Sequence, residues 1–328
     1  MHRKTRFVCV SDTHGYTPSE AGFKMPPGDV LIHAGDLTNN GSMAELRKTM
    51  AWISQADFEI KIVIGGNHDV TLDPAFYAEH GRSFHGSNVE NPQRCIELIA
   101  GSSVIFLQHQ SAIIRLTRSD GPQTAFKVFG SPHSQFEGNW AFGYESREAT
   151  VLWDQIPRDT DIVVTHTPPR SHCDAKPTGR HVGCDALRQR LSRIRPPLVI
   201  CGHVHEGRGY ERVRWGAADT VERVIRGTLP PRESKKQSLV DLTGKRDEPF
   251  DNDGFWIESR STIQGSSVAG RSSAGMEHER QLLRRETCIV NAAIMATSWP
   301  HRAGKRFNAP IVVDLELPVW HDANPPGV

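Results

Sequence analysis

The chain of 328 residues predicts an α/β fold. Between residues 6 and 215, strand-like apolar runs alternate with helical segments, which is the pattern of a layered α/β domain. The runs are short, rich in Val and Ile, and almost continuously apolar, as expected of strands buried on both faces of a covered sheet. They span 7–10, Val30–Ala34, Ile60–Ile64, Ile162–Thr165 and Leu198–Cys201.

Helical spacing occupies several of the gaps between these runs. Residues 43–56 place apolar side chains on one helical face and follow Ser42, which is a favourable N-cap. The segments 145–153 and Asp185–Ile194 predict two further helices. The second helix is ended by Pro196, whose ring does not fit a helix interior.

The composition changes near residue 216. The following segment is rich in Ser, Gly, Arg, Lys and Asp, and it has too few large apolar residues to offset its ordering entropy. We predict a mostly disordered insertion with a short helix near 281–285, and the sequence leaves open a role as a lid or a partner-binding segment. β-like patterns resume afterwards, which predicts one interrupted domain. Its parts are a core at 1–215, a polar low-complexity insertion at 216–286 and core-completing strands at 287–320.

Charge and composition restrict the partners. Lys plus Arg number 39 and Asp plus Glu number 38, so the formal net charge is +1. This balance gives no general attraction to long polyanions or anionic lipids. We therefore expect a small substrate, no extended nucleic acid and no membrane partner. The sequence does not determine the oligomeric state.

The cysteines and the N-terminus indicate the compartment. The six cysteines are widely spaced and form no C-x-x-C pair, so we expect reduced thiols and no disulfide framework. The basic N-terminus runs directly into the first strand, and no signal-like or membrane-spanning apolar stretch follows. A cytoplasmic protein is the expectation.

Each of the five apolar runs is followed within a few residues by side chains that ligate metals. Residues two apart on extended backbone project to the same face, so paired ligands can address one ion. A carboxylate after the second run can bridge two cations. Mixed imidazole and carboxylate ligands suit Mn, Fe, Zn or Ni better than Ca or Mg, and the absence of Cys argues against a structural zinc site. The seven candidate ligands, enough for two ions, are Asp12, His14, Asp36, Asn67, His166, His203 and His205.

Proton transfer and substrate contact have their own candidates. His68 follows Asn67 directly and can act as a general acid, a role that contributes about 10²–10⁴-fold to rate. Asp69 can fix the tautomer of His68 and raise its basicity. Trp140 and Phe142 join Asn67 and His68 as candidate substrate-binding residues, because aromatic faces stack nucleobases. The same two rings can instead pack beneath a Gly-rich loop.

The order of these motifs resembles the calcineurin-like metallophosphoesterase superfamily. Its series D-x-H, G-D, G-N-H-D/E, H and G-H-x-H is present in full and in order. The resemblance implies a four-layer sandwich of two packed mixed β-sheets flanked by helices. Carried over position by position, it implies one metal held by Asp12, His14, Asp36 and His205, a second held by Asp36, Asn67, His166 and His203, and His68 as the acid.

Further short segments are similar to the MPPED (metallophosphoesterase-domain-containing) branch of this superfamily. That branch is associated with class III-type phosphodiester hydrolysis and nucleotide binding. The likeness covers 6–213 and 287–317 but not the insertion. Its segments are F-G-S-P at 129–132, G-N-W-A-F at 138–142, T-H-T-P-P at 165–169, V-G-C at 182–184 and G-H-V-H-E-G at 202–207.

These inferences predict a dinuclear metal-dependent phosphoesterase, with a phosphodiesterase favoured. The expected reaction is attack of a metal-bridging hydroxide on a small nucleotide-like diester, while His68 protonates the leaving group. Mn²⁺ is the expected metal, and Fe, Zn or Ni are alternatives. Two divalent cations, two aspartates and one hydroxide leave a single positive charge, which a diester monoanion neutralises. The alternatives are a phosphomonoesterase or protein phosphatase, a non-enzymatic nucleotide-binding regulatory scaffold and, more weakly, a nuclease.

Overall fold

The computed structural model describes residues 1–135, 138–216, 223–227, 238–245, 250–252, 284–298, 300–301 and 304–320. The helices are α1 Pro18–Ala21, α2 Met43–Gln55, α3 Pro74–His85, α4 Pro92–Ala100, α5 Ala149–Trp153 and α6 Asp185–Ile194. The strands are β1 His2–Val10, β2 Val30–Ala34, β3 Ile60–Ile64, β4 Ile105–Phe106, β5 Gln110–Arg115, β6 Ala125–Ser131, β7 Ser134–Gln135, β8 Gly143–Tyr144, β9 Ile162–Thr165, β10 Leu198–Cys201, β11 Gly209–Arg214, β12 Arg223–Arg226, β13 Ser238–Asp241, β14 Glu286–Asn291 and β15 Ile311–Pro318.

Two large mixed sheets form the centre of the molecule. The first sheet has the order β13-β15-β1-β2-β3-β4, and the second has the order β12-β11-β14-β10-β9-β6-β5. Strands β1, β2 and β3 run parallel to one another in the first sheet, as do β6, β9, β10 and β14 in the second. The carboxyl ends of these parallel strands are therefore the edges at which connecting loops can build a site.

Alternating side chains divide the interior into three apolar layers. Phe7 and Cys9 face a core between the two sheets, while Val8 and Val10 face a core under α2, α3 and α4, as period-two projection requires. On the second sheet, Val163 faces a third core beneath α5 and α6. The order is therefore helices, sheet, sheet, helices. The predicted four-layer sandwich is confirmed.

Local capping explains the helix boundaries. Ser42 is the N-cap of α2, as predicted from the sequence. It also forms a reciprocal capping box with Glu45. Helix α6 has the predicted bounds. Helix α5 is shorter than the predicted 145–153. Residues 146–148 form turns before it, where the side chain of Glu148 accepts a hydrogen bond from the backbone N–H of Glu145.

Parts of the segment predicted to be disordered belong to the two sheets. Strand β12 pairs with β11, and strand β13 pairs in parallel with β15. Of the helix predicted near 281–285, residues 281–283 lie outside the described residues, and Arg284 forms an isolated β-bridge with Asn252. After the segment, β14 and β15 each join one of the large sheets.

Candidate metal centre

The parallel strands place all seven predicted ligands at neighbouring loop positions. The loop after β1 carries Asp12 and His14, and the loop after β2 carries Asp36. In the second sheet, the loop after β9 carries His166. The remaining predicted ligands follow β3 and β10 in the same way, and they are Asn67, His203 and His205.

Three of these side chains form one half of the site. His14 Nε2 lies 3.2 Å from His205 Nε2, and His205 Nε2 lies 3.4 Å from an Asp12 carboxylate oxygen. Asp36 Oδ2 lies 3.7 Å from His14 Nε2. Asp12, His14 and His205 can hold one metal ion, because their donor atoms all lie within 4.8 Å of one another.

The other half lies on the opposite oxygen of the same aspartate. Asp36 Oδ1 is 3.3 Å from His166 Nε2, and His166 Nε2 is 3.0 Å from Asn67 Oδ1. Asn67 Oδ1 also lies 2.8 Å from His203 Nδ1. Asp36 therefore stands between two sets of donors, with one carboxylate oxygen directed at each set.

Backbone carbonyls fix which imidazole nitrogens face the site. His166 Nδ1 lies 3.0 Å from the carbonyl oxygen of Ala34, and His205 Nδ1 lies 3.0 Å from that of Thr297. Because a carbonyl only accepts hydrogen bonds, each Nδ1 carries the proton and the neutral ring directs the lone pair of Nε2 inward. Those lone pairs meet the oxygens of Asp36, Asn67 and Asp12. Converging lone pairs of this kind fit a cation.

The pKa values of the site reflect the same crowding of buried charged groups. Burial lowers the pKa of His166, but the carboxylates of Asp36 and Asp12 outweigh burial and raise it to about 9. Burial lowers the pKa of His14 and of His203 to about 3. A proton on His166 thus compensates the buried carboxylates, and a bound divalent cation would replace that proton.

The backbone is strained where the ligands lie. Asp12, His14, Asp36 and His203 all have φ between 45° and 67°, in the left-handed region that non-glycine residues rarely adopt. Gly66 lies so close to this cluster that a β-carbon there would stand 2.3 Å from Asp36 Oδ1. Backbone strain of this kind is found mainly at functional sites.

His68 is held beside the first set of donors. Its Nδ1 lies 2.7 Å from the carbonyl oxygen of Asn39, so Nδ1 carries the proton in the neutral ring. Its ring centroid lies 4.6 Å from that of His14. His14, Asp36 and His68 also form a group whose donor atoms lie within 4.8 Å of one another. The geometry therefore allows His68 to act as an acid or as a ligand.

The predicted role of Asp69 is wrong in one respect. Its carboxylate accepts hydrogen bonds from the backbone N–H groups of Leu37, Thr38 and Gly66, and from the hydroxyl of Thr38. These contacts occupy both oxygens, and the Nδ1 of His68 faces the carbonyl of Asn39 instead. Asp69 joins the loops after β2 and β3 and does not orient the His68 ring.

The two aromatic candidates have different environments. Trp140 is half-buried, and its ring centroid lies 4.0 Å from that of His68 with the planes inclined by 34°. Phe142 is 8% exposed and belongs to the apolar core beneath α2, α3 and α4, where its ring packs over Gly65. This position favours the packing alternative for the Phe142 ring over contact with substrate.

A cavity of about 410 Å³ opens over His14, His68 and His205. Several residues that line this cavity have no role predicted from the sequence. Asn39 and Asn40 line one side, and residues from the connection between β14 and β15 line another. Those residues, which follow no recognisable motif, are Met295, His301 and Lys305.

Asn291 supports the loop that carries the last two histidines. The sequence leaves its role open between site support and a turn. Its buried side-chain amide donates to the carbonyls of Cys173 and Val204, each at 2.9 Å. Val204 lies between His203 and His205, so Asn291 fixes their backbone from the end of β14.

The family model for the calcineurin-like phosphoesterase matches residues 5–207. The chain belongs to the calcineurin-like phosphoesterase family. Members of this family are metal-dependent phosphoester hydrolases, and all seven converging donors lie inside the matched segment. The donor groups described above are therefore the candidate divalent-metal site of a phosphoester hydrolase fold.

Two relatives and one solved structure illustrate the similarity. Metallophosphoesterase domain-containing protein 1 of Homo sapiens is 36% identical over 215 residues, which are 62% of this chain and 62% of that protein. Probable rhamnogalacturonate lyase C of Emericella nidulans is 42% identical over 212 residues, which are 64% of this chain and 18% of that protein. The chain thus spans less than two thirds of either relative. A purple acid phosphatase from yellow lupin (Lupinus luteus) aligns over 94% of this chain and 46% of its own, with 12% identity and a TM-score of 0.37.

None of the helices in the described part of the chain is both long and apolar enough to cross a bilayer.

All six cysteines are free and buried.

Proposed function

We propose that this protein is a dinuclear metal-dependent phosphodiesterase that hydrolyses a small nucleotide-like diester. The observation that carries the proposal is the position of Asp36, whose two carboxylate oxygens face separate donor sets at 3.7 Å and 3.3 Å. A carboxylate placed in this way can bridge two adjacent cations, as in two-metal hydrolytic sites. The family and the donor chemistry support the proposal, and Mn²⁺ is the metal we expect, with Fe, Zn or Ni as alternatives.

The chain's own residues divide the work between holding metals and moving a proton. Divalent cations bound here would activate water near neutral pH and neutralise charge on the phosphate oxygens. Holding them falls to two sets of side chains that share Asp36. One set would be Asp12, His14, Asp36 and His205, and the other would be Asp36, Asn67, His166 and His203.

His68 is the proposed general acid. Its Nδ1 is engaged by the Asn39 carbonyl, and its ring stacks on Trp140, so Nε2 is the nitrogen left for substrate. Because His68 and His14 both line the cavity, a leaving group bound there meets Nε2 of His68, which donates a proton when the ring is an imidazolium with Nδ1 still bonded to Asn39. Protonation by His68 would be needed most for alkoxide leaving groups, which depart slowly without it.

The charge of the site favours a diester. Two divalent cations with Asp12, Asp36 and one hydroxide leave a single positive charge, which a diester monoanion balances. A monoester dianion would leave the site negative. The cavity of about 410 Å³ accommodates a ligand of nucleotide size, and the amides of Asn39 and Asn40 offer polar contacts to it.

The test compares bis(p-nitrophenyl) phosphate with p-nitrophenyl phosphate. Chelator-treated protein should hydrolyse neither compound, and addition of Mn²⁺ should restore hydrolysis with kcat/KM at least tenfold higher on the diester. A preference for the monoester would replace the proposal by phosphomonoesterase or protein phosphatase activity. Tight nucleotide binding without turnover across Mn²⁺, Fe²⁺, Zn²⁺ and Ni²⁺ would replace it by a regulatory scaffold.

A further inference from the structure

The connection between β14 and β15 is built into the wall of the metal centre. We call residues 292–298, 300–301 and 304–310 the C-terminal loop. The backbone N–H of Ile294 donates to the carbonyl of Ser11 at 2.8 Å, and that of Met295 donates to the carbonyl of Asp12 at 3.2 Å. The carbonyl of Thr297 accepts from His205 Nδ1. These bonds fix the loop to the ligand-bearing loops, although it lies outside the segment matched by the family model.

Lys305 brings a positioned positive charge to this wall. Its ammonium donates a hydrogen bond to the hydroxyl of Tyr16 at 2.8 Å and lies 4.9 Å from the centroid of the same ring. The Tyr16 ring packs in turn against Phe307, with centroids 4.9 Å apart. A hydroxyl and an aromatic face orient an ammonium without neutralising it.

No acidic side chain balances that charge in the described part of the chain. Lys305 takes part in none of the ion pairs formed among the described residues. No Asp or Glu is among the described residues that line the cavity with Lys305, and Asp12 and Asp36 are buried. A lysine in this setting attracts anions. The charge of the reacting phosphodiester is already balanced at the metal centre, so the ammonium of Lys305 can attract a second anionic group.

We propose that Lys305 recognises a second, non-reacting anionic group on the substrate. The preferred substrate class is then a phosphodiester that carries an additional phosphate or carboxylate on the part remote from the scissile bond. This inference rests on the proposed phosphodiesterase function and names the substrate class for that same site. The metal-facing histidines address the reacting phosphate, and the C-terminal loop addresses the distal charge.

The test uses p-nitrophenyl diesters that share one leaving group and differ in the retained aryl group. That group is 4-carboxyphenyl, 4-phosphonophenyl or the uncharged isostere 4-carbamoylphenyl. On Mn²⁺-loaded protein, kcat/KM should be roughly three- to tenfold higher for an anionic ester than for the uncharged one, which is the size expected for a partly exposed charge pair. Of the carboxyl and phosphono esters, the one with the higher kcat/KM identifies the preferred anion. Added salt should reduce the ratio of kcat/KM between the anionic and the uncharged ester.

Variants distinguish recognition by Lys305 from a general electrostatic attraction of anionic substrates. The ratio of kcat/KM on an anionic ester to that on the uncharged ester should fall to about one in Lys305→Gln and persist in Lys305→Arg. Arg306→Gln is the matched control, because Arg306 is an exposed neighbour outside the cavity wall, and it should leave the preference unchanged. Lys305→Gln should lower kcat/KM on the carbamoyl ester by a smaller factor than on the anionic esters, since the carbamoyl ester has no distal anion for Lys305 to recognise.

Two results would overturn the inference. One is a wild-type preference of about one, and the other is an equal loss on charged and uncharged esters in Lys305→Gln, which would place Lys305 on the reacting phosphate. If no ester is hydrolysed, the proposed function fails separately. Lys305 is then judged by the dissociation constants of 4-carboxybenzylphosphonate and 4-carbamoylbenzylphosphonate. Tighter binding of the carboxylate that is lost in Lys305→Gln supports recognition, and equal constants overturn it.

Discussion

The buried donor cluster and the cavity wall above it are built in different ways. Every donor in the cluster follows a parallel strand, and Asp12, Asp36 and His166 are at most 2% exposed. The wall combines separate loops, with half-buried or exposed residues such as Trp140 and Lys305. The cluster is fixed from several sides at once, whereas single side chains determine the character of the wall. Loss of one donor should therefore abolish chemistry, while changes in the wall should alter rate or selectivity by degrees.

The largest effect should come from the shared carboxylate. Asp36→Asn removes the negative charge that both donor sets use, and kcat/KM on bis(p-nitrophenyl) phosphate should fall by roughly 10³-fold or more. Metal content, measured by plasma mass spectrometry, should drop from two ions per chain to one or none. Retention of two ions with near-normal activity would show that Asp36 does not bridge them.

Removing the proposed acid should have an effect that depends on the leaving group. His68→Gln should lower kcat by about 10²–10⁴-fold on a dialkyl phosphate diester, whose departing group is an alkoxide, and far less on bis(p-nitrophenyl) phosphate, from which p-nitrophenolate departs. His80→Gln, in helix α3, is the control. Metal content should stay at two ions. A loss of metal in His68→Gln would instead assign His68 as a ligand, as the group with His14 and Asp36 permits.

The next variant distinguishes the observed role of Asp69 from the predicted one. Asp69→Asn replaces one accepting oxygen by an amide that opposes N–H donors, so the loops after β2 and β3 should loosen and Tm should fall. The rate should decrease about 10- to 100-fold by the same factor for good and poor leaving groups, as for other residues that support ligands. A leaving-group dependence like that of His68→Gln would restore Asp69 as the partner of the acid.

The smallest of these changes should come from the ring beneath His68. Trp140→Ala removes an aromatic contact worth about 0.5–1.5 kcal/mol, so kcat should fall up to about tenfold with little change in KM. Trp140→Phe should recover most of the rate because it keeps a stacking ring. If KM rises while kcat is unchanged, Trp140 stacks on substrate, as the sequence analysis predicted, and does not position His68.

Much of the fold and of the donor cluster could be predicted from sequence, for a physical reason. Buried strands require continuous apolar runs, and loops at the carboxyl ends of parallel strands meet at one edge. Because Asp36 comes just after β2, it could be expected to lie close to ligands such as His166 that follow other parallel strands far away in the chain. The N-cap at Ser42 could be predicted in the same way, because a Ser directly before a helical apolar pattern caps the helix locally.

The features that sequence did not reveal depend on backbone groups and on distant packing. The partner of His68 is a carbonyl at Asn39, and the partner of His205 is a carbonyl at Thr297, which any residue type could supply. The aromatic ring of Phe142 is of a type that can stack on a base, but it is buried beside Gly65. Lys305 reaches the cavity only because the C-terminal loop pairs with the backbone at Ser11 and Asp12.

Anomalous diffraction from a crystal of the Mn²⁺-loaded protein tests the central claim most directly. The account predicts two peaks about 3.5–4 Å apart, with Asp36 between them. One peak should lie among Asp12, His14 and His205, and the other among Asn67, His166 and His203. A single peak, or two peaks that do not share Asp36, would contradict the dinuclear centre on which the proposed chemistry depends.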